Sequence, residues 1–305
     1  MGTLVGHVAP GFGFLVIGLW HLFNHIKLHA LHPNSHSSSP WFPTSKIRYL
    51  ELFSIMASCT TSIAMELFIG PARHQPLTTS ITFDTDGSIP SNHLHNFEHS
   101  SISMTFLIYA IFAILLDKFE AKAKYSLTQL LGCVAFCQQL LVFHLHSADH
   151  MGVEGQYHVL LQIVIFICLG SSLVGINYPE SFVISFVRSV SILYQGLWLM
   201  IMGIMLWIPE VIPKGCFLNM EDGHQVVRCL SDEDLHRAKA LVNIEFSGCL
   251  IGVTIFAMSI YIILVKKAAL RGGVINFDTN QYYNSIKIIL SHLPVKHVTN
   301  KKYYN

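Results

Sequence analysis

Charge is what this sequence has least of. Only 12% of its 305 residues are charged and 52% are hydrophobic, whereas an ordinary soluble domain carries about 25% charged residues. With a mean hydropathy of +0.49, the chain reads as a membrane protein. A formal net charge of +1 leaves no basic excess for a phosphate backbone, so nucleic acid is not an implied partner. Asn-x-Ser/Thr sequons are missing, which leaves glycosylation silent as a topology marker. No basic region precedes the first apolar run and no convincing small-residue cleavage site follows, so a retained helix is expected there and not a signal peptide. Internal repeats are not evident, which argues against an inverted-repeat transporter. No Lys stands inside the last apolar run, which disfavours a retinal protein.

What is present is seven apolar runs, approximately 10–28, 49–70, 102–116, 127–144, 158–175, 182–208 and 241–265. Each approaches the roughly 20 residues that a helix needs to cross the hydrocarbon core. The third is the shortest, and its polar start, Glu98 to Ser103, must be drawn into the bundle. The expected fold is all-α, a polytopic membrane bundle of seven transmembrane helices over residues 1–267, followed by a polar, basic cytoplasmic tail over 268–305. Lys46, Arg48, Lys118, Lys122, Lys124, Lys266, Lys267 and Arg271 fall on one side, while the other side carries Arg73 alone in its first loop, none in its second and a longer third loop of mixed charge. The positive-inside rule then places the N-terminus outside or lumenal and the C-terminus cytoplasmic.

The loops add detail. Pro33 to Pro40 is Ser/Pro-rich and is expected to be flexible. The loop from Pro71 to Asn96 faces outside. Cys216 and Cys229 are the only two of seven Cys outside the apolar runs, so a disulfide closing their loop is expected in an oxidising compartment. Ser231 followed by Asp232, Glu233 and Asp234 reads as a cap with an acidic first turn, which starts the last helix ahead of the membrane. Lys301 and Lys302 form an imperfect dilysine signal, a weak address.

Threading the helices alternately gathers His7, Glu66, Glu98 with His99, His144 with His146, Glu154 with His158, and Glu245 at the outer ends. Ionisable groups at membrane depth are costly, so such a layer calls for a role. Imidazole plus carboxylate suits zinc or another divalent metal, with His7, Glu66, His99, His144, Glu154 and His158 as candidate ligands and Glu154 or Glu66 as candidate general base. A structural or proton-handling network, or a haem between two His, uses the same residues. His146, Asp149 and His150 are assigned to the loop. On the inner side His21, His25, His29 and His32 form a stripe at helical spacing, read as an interfacial face. Glu51 and Arg188 stand at the inner ends of the second and sixth runs and can pair, and Gln195 is expected to find a partner in the bundle. Gly11, Gly13 and Gly18 permit close helix packing, and Cys133 with Cys137 reads as a small-residue face.

Several blocks resemble one family. Gly6-His7-Val8-Ala9-Pro10-Gly11, Asn96-Phe97-Glu98-His99-Ser100, Phe143-His144-Leu145-His146 with Glu154 and His158, and Arg188 followed by Tyr194-Gln195-Gly196-Leu197-Trp198 look like the transmembrane protein 45 family, also called the domain-of-unknown-function 716 family. The long His-Ser-x-Asp-His-x-Gly-x-Glu form is similar to its plant members. The resemblance covers roughly residues 5 to 265 and implies a seven-helix protein of endomembranes, in the Golgi or endoplasmic reticulum, or of the plasma membrane, with a poorly defined activity. Animal members tend to carry Gln at the position of Glu98 and Asp at that of Glu154, so Glu98 is a doubtful ligand.

The functional expectation is a multi-pass membrane protein of undefined activity whose outer His/Glu layer can take a divalent metal. The alternatives are a zinc-dependent intramembrane hydrolase of a lipid or amide and a proton or metal transporter. The bilayer is the one partner that the sequence names.

Overall fold

A computed structural model describes residues 3–69, 94–145, 152–221 and 224–272. The chain divides into two compact units, Met1–Val265 and Lys266–Asn305. The first holds helix α1, Leu4–Leu31; α2, Leu50–Ala64, which continues as a π-helical turn, Met65–Ile69; α3, Leu94–Lys118; α4, Lys124–Leu145; α5, Gly152–Asn177; and α6, Phe182–Trp207. A two-stranded antiparallel hairpin follows, β1 Cys216–Glu221 and β2 His224–Cys229, and then the long helix α7, Asp232–Gly272, whose last residues belong to the second unit.

Among the described residues, seven helices are long and apolar enough to cross a membrane. Their exposed faces carry Phe12, Phe23, Ile111, Phe166, Ile244, Ile251 and Ile262, the residues that suit lipid and not water. Lipid tails are as apolar as these side chains, so association between the helices rests on close packing and hydrogen bonds.

Close packing is greatest between α1 and α6. A Cβ on Gly18 would lie 2.3 Å from the Leu193 nitrogen, and one on Gly196 would lie 2.2 Å from the Leu15 nitrogen and 2.6 Å from the Gly11 carbonyl. Only glycine permits backbones this near. Gly13 faces open space and plays no part in the seam. Next to it, α6 buries Trp198, Leu199, Met202 and Leu206 against Tyr157, Leu161 and Ile165 of α5.

Helix ends follow local chemistry. Thr3 caps α1 through its Oγ1, which accepts from the Gly6 nitrogen at 3.0 Å. Ser181 caps α6 through Ile184, and Ser231 caps α7 by accepting from the Asp234 nitrogen at 3.1 Å, where the acidic first turn suits the helix dipole. The third helix starts at Leu94, well before its apolar run, because its polar first turns find partners. Asn96 Nδ2 donates to Glu66 Oε2 at 2.7 Å, Ser103 Oγ to Ser62 Oγ at 2.9 Å, and Gln138 Nε2 to Ser101 Oγ at 3.1 Å. At about 1.5 Å per residue, α7 runs for roughly 60 Å, about twice the hydrocarbon thickness of a bilayer.

The expected flexible segment 33–40 is instead an ordered cap. Pro33–Ser35 forms a short 3-10 turn, the Ser38 nitrogen donates to the Pro179 carbonyl at 2.7 Å, and Tyr109 Oη donates to the Pro40 carbonyl at 2.8 Å. Trp41 and Phe42 are buried just after it. Composition alone signalled a loop, but tertiary hydrogen bonds hold it.

Candidate functional site

Helix α1 carries imidazoles at both ends. Its start, the ends of α2 and α4, the starts of α3 and α5 and the hairpin share one end of the bundle, here the hairpin end. The other, here the cap end, holds the segment 33–42.

At the hairpin end His7 stacks on Trp207, with ring centroids 4.6 Å apart, and meets His158 edge-on at 5.9 Å. Both rings hang on their own helices: Nδ1 of His7 donates to the Thr3 carbonyl at 3.1 Å, and Nδ1 of His158 to the Glu154 carbonyl at 3.0 Å. A carbonyl only accepts, so both rings carry their proton on Nδ1. Glu66 belongs to a neighbouring pair, with Oε1 at 3.5 Å from His99 Nδ1. His144 lies on an exposed face, where Nδ1 meets Gln162 Oε1 at 3.3 Å. Glu154 sits within the field of Arg228 on the hairpin, and Glu245 accepts from Tyr157 Oη at 2.6 Å. Among the described residues His7 meets His158 and Glu66 meets His99, while His144 meets Gln162, Glu154 lies within the field of Arg228 and Glu245 accepts from Tyr157. Among the described residues, no group of three or more His, Cys, Asp or Glu has the arrangement to hold a metal ion. His146, Asp149 and His150 lie outside the described residues.

The hairpin itself is bridged by Cys216 and Cys229. Arg228 Nε donates to Glu221 Oε1 at 2.7 Å, which holds the Glu221 carboxyl below its usual range and raises the Arg228 guanidinium above its own.

The cap end is denser and more deeply buried. His25 is 0% exposed, Arg188 3%, His21 4%, His36 4% and Glu51 5%. Glu51, in the first turn of α2, accepts three bonds: from His21 Nε2 at 2.7 Å, from Trp20 Nε1 at 2.9 Å and from the Phe42 nitrogen at 2.8 Å. Arg188, in α6, directs Nη2 to His25 Nε2 at 3.2 Å, to Ser38 Oγ at 3.0 Å and to the Ser39 carbonyl at 2.9 Å. His36 Nε2 meets Ser185 Oγ at 3.2 Å. His29, half-buried, stacks on Phe182 with centroids 4.1 Å apart. Burial pushes the His36 imidazole below its ordinary value, and His29 beside it adds to the effect.

Two expectations change here. The stripe on α1 is no interfacial face, since His21 and His25 are sealed under the segment 33–42. Glu51 and Arg188 do not pair directly, because each binds a histidine that lies between them. His36, in the segment read as flexible, was not singled out. Its signal was the recurrence of His beyond the stripe, but only the chain reversal brings it back onto α1.

Between the two ends Gln195 is fully buried in α6 and donates from Nε2 to Gln139 Oε1 of α4 at 3.0 Å. Arg188 and Gln195 are seven residues apart, two helical turns, so they share a face. Among the described residues, Nδ1 of His21, His25, His29 and His36 and Oε1 of Gln195 are buried with no hydrogen-bond partner. Each such atom costs about 1–3 kcal/mol when it stays unpaired, and they gather in and beside one cluster.

Residues 125–262, from the first turn of α4 into α7, match the model of the Family of unknown function (DUF716). Over that stretch the chain is similar to DUF716 proteins. The family match agrees with the resemblance that the motifs carry. The matched segment holds His144, Glu154, His158, Arg188, Gln195, both bridged cysteines and Glu245. His7, His21, His25, His36, Glu51, Glu66 and His99 precede it, so the cap-end cluster joins Arg188 of the matched segment to α1 and α2.

Proposed function

We propose that this multi-pass DUF716 protein handles protons across its membrane, with the cap-end cluster of Glu51, His21, His25, Arg188 and His36 as its working centre. The observation that carries the reading is that five ionisable side chains, each at most 5% exposed, meet at the cap end of a helix bundle. A buried charge is retained at such a cost chiefly where it does work. Glu51 and Arg188 carry opposite charges, and the imidazoles of His21 and His25 connect them. The His7 and His158 pair offers a second imidazole station at the hairpin end, with Gln139 and Gln195 between.

The positive charge of Lys46, Arg48, Lys118, Lys122 and Lys124 at the cap end supports a cytoplasmic face there and an outside N-terminus. A bridged hairpin on the opposite side suits that orientation. The long His-Ser-x-Asp-His-x-Gly-x-Glu block supports a plant-type membership. Endomembranes or the plasma membrane remain the expected location. A divalent metal in the outer layer and a zinc-type hydrolase draw less support, because the candidate ligands His144, Glu154, His99 and His7 are spread over separate partners.

The test is proton flux into proteoliposomes under a potassium diffusion potential, followed with a trapped pH dye. The expected result is uptake above that of empty vesicles, reduced at least tenfold by Glu51→Gln and unchanged by His144→Gln. Wild-type protein that conducts no better than empty vesicles sinks the proposal and leaves the cluster a structural network.

A further inference from the structure

At the cap end a tight, ordered turn joins the end of α3 to the start of α4. Glu120 adopts φ 50°, the Ala121 nitrogen donates to the Leu116 carbonyl and the Glu120 nitrogen to the Asp117 carbonyl, both at 3.2 Å, which closes α3 with a left-handed cap. Asp117, buried just before the turn, accepts from Lys124 Nζ at 2.8 Å on Oδ1, and from Arg48 Nε at 2.9 Å and Tyr49 Oη at 3.0 Å on Oδ2. One carboxylate thus serves two cations and ties the residues before α2 to both sides of the turn. Around this knot Lys46, Lys118 and Lys122 are exposed and make no ion pair among the described residues. Over 43–49 and 117–125 five cations stand against two carboxylates, Asp117 and Glu120, a net +3.

We infer that this face docks the headgroup of a polyanionic lipid, one that carries phosphomonoesters, from the leaflet that meets the cap end. Clusters of about 4–8 Lys or Arg at the membrane end of a helix attract anionic lipid, each cation adding about fivefold in affinity. Such docking is separate from proton handling and shares with it only the placement of the cap end at the cytoplasmic leaflet. Neither the chain's own tail nor a second copy complements the face. Residues 268–305 hold five cations and a single Asp. A second copy presents the same positive face, which repels its twin across a two-fold axis.

Lipid is favoured over a soluble anion by where the face lies. The exposed stripe Ile108, Phe112 and Leu115 of α3 leads into Phe119, 81% exposed in the turn, and Tyr125 and Leu127 carry exposed apolar surface into α4. Aromatic side chains at the end of a spanning helix belong at headgroup depth, so the cations beside them stand level with lipid phosphate. A headgroup of several charges is favoured by the donors. Arg48, 57% exposed, spends Nε and Nη2 on Asp117 and keeps Nη1 for a phosphate oxygen. Its guanidinium is held in place by the rings of Trp41 and Tyr49, with centroids at 5.9 and 5.7 Å. Lys118 and Lys122, on either side of Glu120, supply point charges for a second phosphate. The first turn of α4 holds no acid, so the positive end of its dipole adds to the field.

The test is native mass spectrometry of the full-length protein in detergent, titrated with short-chain phosphatidylcholine, phosphatidylserine and phosphatidylinositol bisphosphate. The expected result is phosphatidylinositol bisphosphate held at least tenfold more tightly than phosphatidylserine, and no measurable phosphatidylcholine binding. Combining Lys118→Gln with Lys122→Gln is expected to weaken it by about tenfold or more, and Lys46→Gln alone by about fivefold. All three lysines are exposed and unbonded, so these variants keep the fold. Lys214→Gln, exposed at the hairpin end, is expected to change nothing. Phosphatidylserine held as tightly overturns the polyanionic headgroup. Free inositol trisphosphate held as tightly as the lipid overturns lipid docking in favour of a soluble anion. Binding indifferent to the Lys118 and Lys122 changes, or weakened as much by Lys214→Gln, overturns the face. The measurement needs neither flux nor an oriented bilayer, so lipid binding can fail while proton uptake stands, and the reverse.

Discussion

Substituting Ala for Gly196 tests the glycine seam and its link to the cluster together. The new Cβ would sit 2.2 Å from the Leu15 nitrogen and 2.6 Å from the Gly11 carbonyl. Carbon contacts are comfortable at about 3.5 Å or more, so α1 and α6 must part by roughly 1 Å. Both obstacles are backbone, so no side chain can rotate aside. Overpacking costs about 1–3 kcal/mol, and a rigid obstacle puts the expected loss near 3 kcal/mol, about a hundredfold in the folded ratio. Parting by 1 Å would also stretch the 3.2 Å bond between Arg188 and His25 beyond hydrogen-bond range. The assay is unfolding in mixed micelles, with Gly13→Ala and Gly170→Ala as controls because nothing lies within 4 Å of a Cβ at either position. Gly18→Ala, which would meet the Leu193 backbone at 2.3 Å, is expected to behave like Gly196→Ala. If Gly196→Ala proves as stable as Gly13→Ala, the helices are not in backbone contact and the seam is wrong.

Two further predictions concern the cap and the hairpin. The folded value of His36 lies below its ordinary 6.5, so below that pH the released segment binds more protons than the docked one. Docking of 33–42 is thus expected to be full above about pH 6.5 and to weaken as pH falls through it. Proteolysis or hydrogen exchange of the segment between pH 5 and 8 measures this, and a response undiminished in His36→Gln would refute the assignment. Cysteine counting by maleimide mass tagging should find two of the seven thiols protected until reduction, and Cys216→Ser should unmask Cys229. Since the two cysteines are 13 residues apart, the bridge is expected to hold the hairpin by about 3 kcal/mol, readable as faster amide exchange after reduction.

Much of this molecule was legible in the residues taken singly. Low charge and seven apolar runs dictate a helical membrane bundle, because a backbone in lipid must satisfy its own hydrogen bonds. Ser231 with its acidic turn marks the start of α7, and two cysteines outside the apolar runs mark the hairpin. Gly11 and Gly18 announced a close approach, though not the partner Leu193 or the idleness of Gly13. The site was less legible. A run of His and carboxylates around 143–158 drew attention to the hairpin end, where, among the described residues, His144 meets Gln162 while His158 meets His7. Which neighbour a side chain meets is set by packing against other helices, which one-dimensional spacing cannot supply.

Sequence by itself determined the class of structure, the number of spans and the presence of more ionisable groups than a bilayer tolerates without reason. Only the tertiary structure decided which of those groups meet. His25 finds Arg188 across 163 positions of chain, and His36 returns to α1 because Arg188, Pro179 and Tyr109 hold its segment in place. Hydrogen bonds of such reach depend on where helices sit in space. That is why the cap-end cluster could be read only from the folded chain.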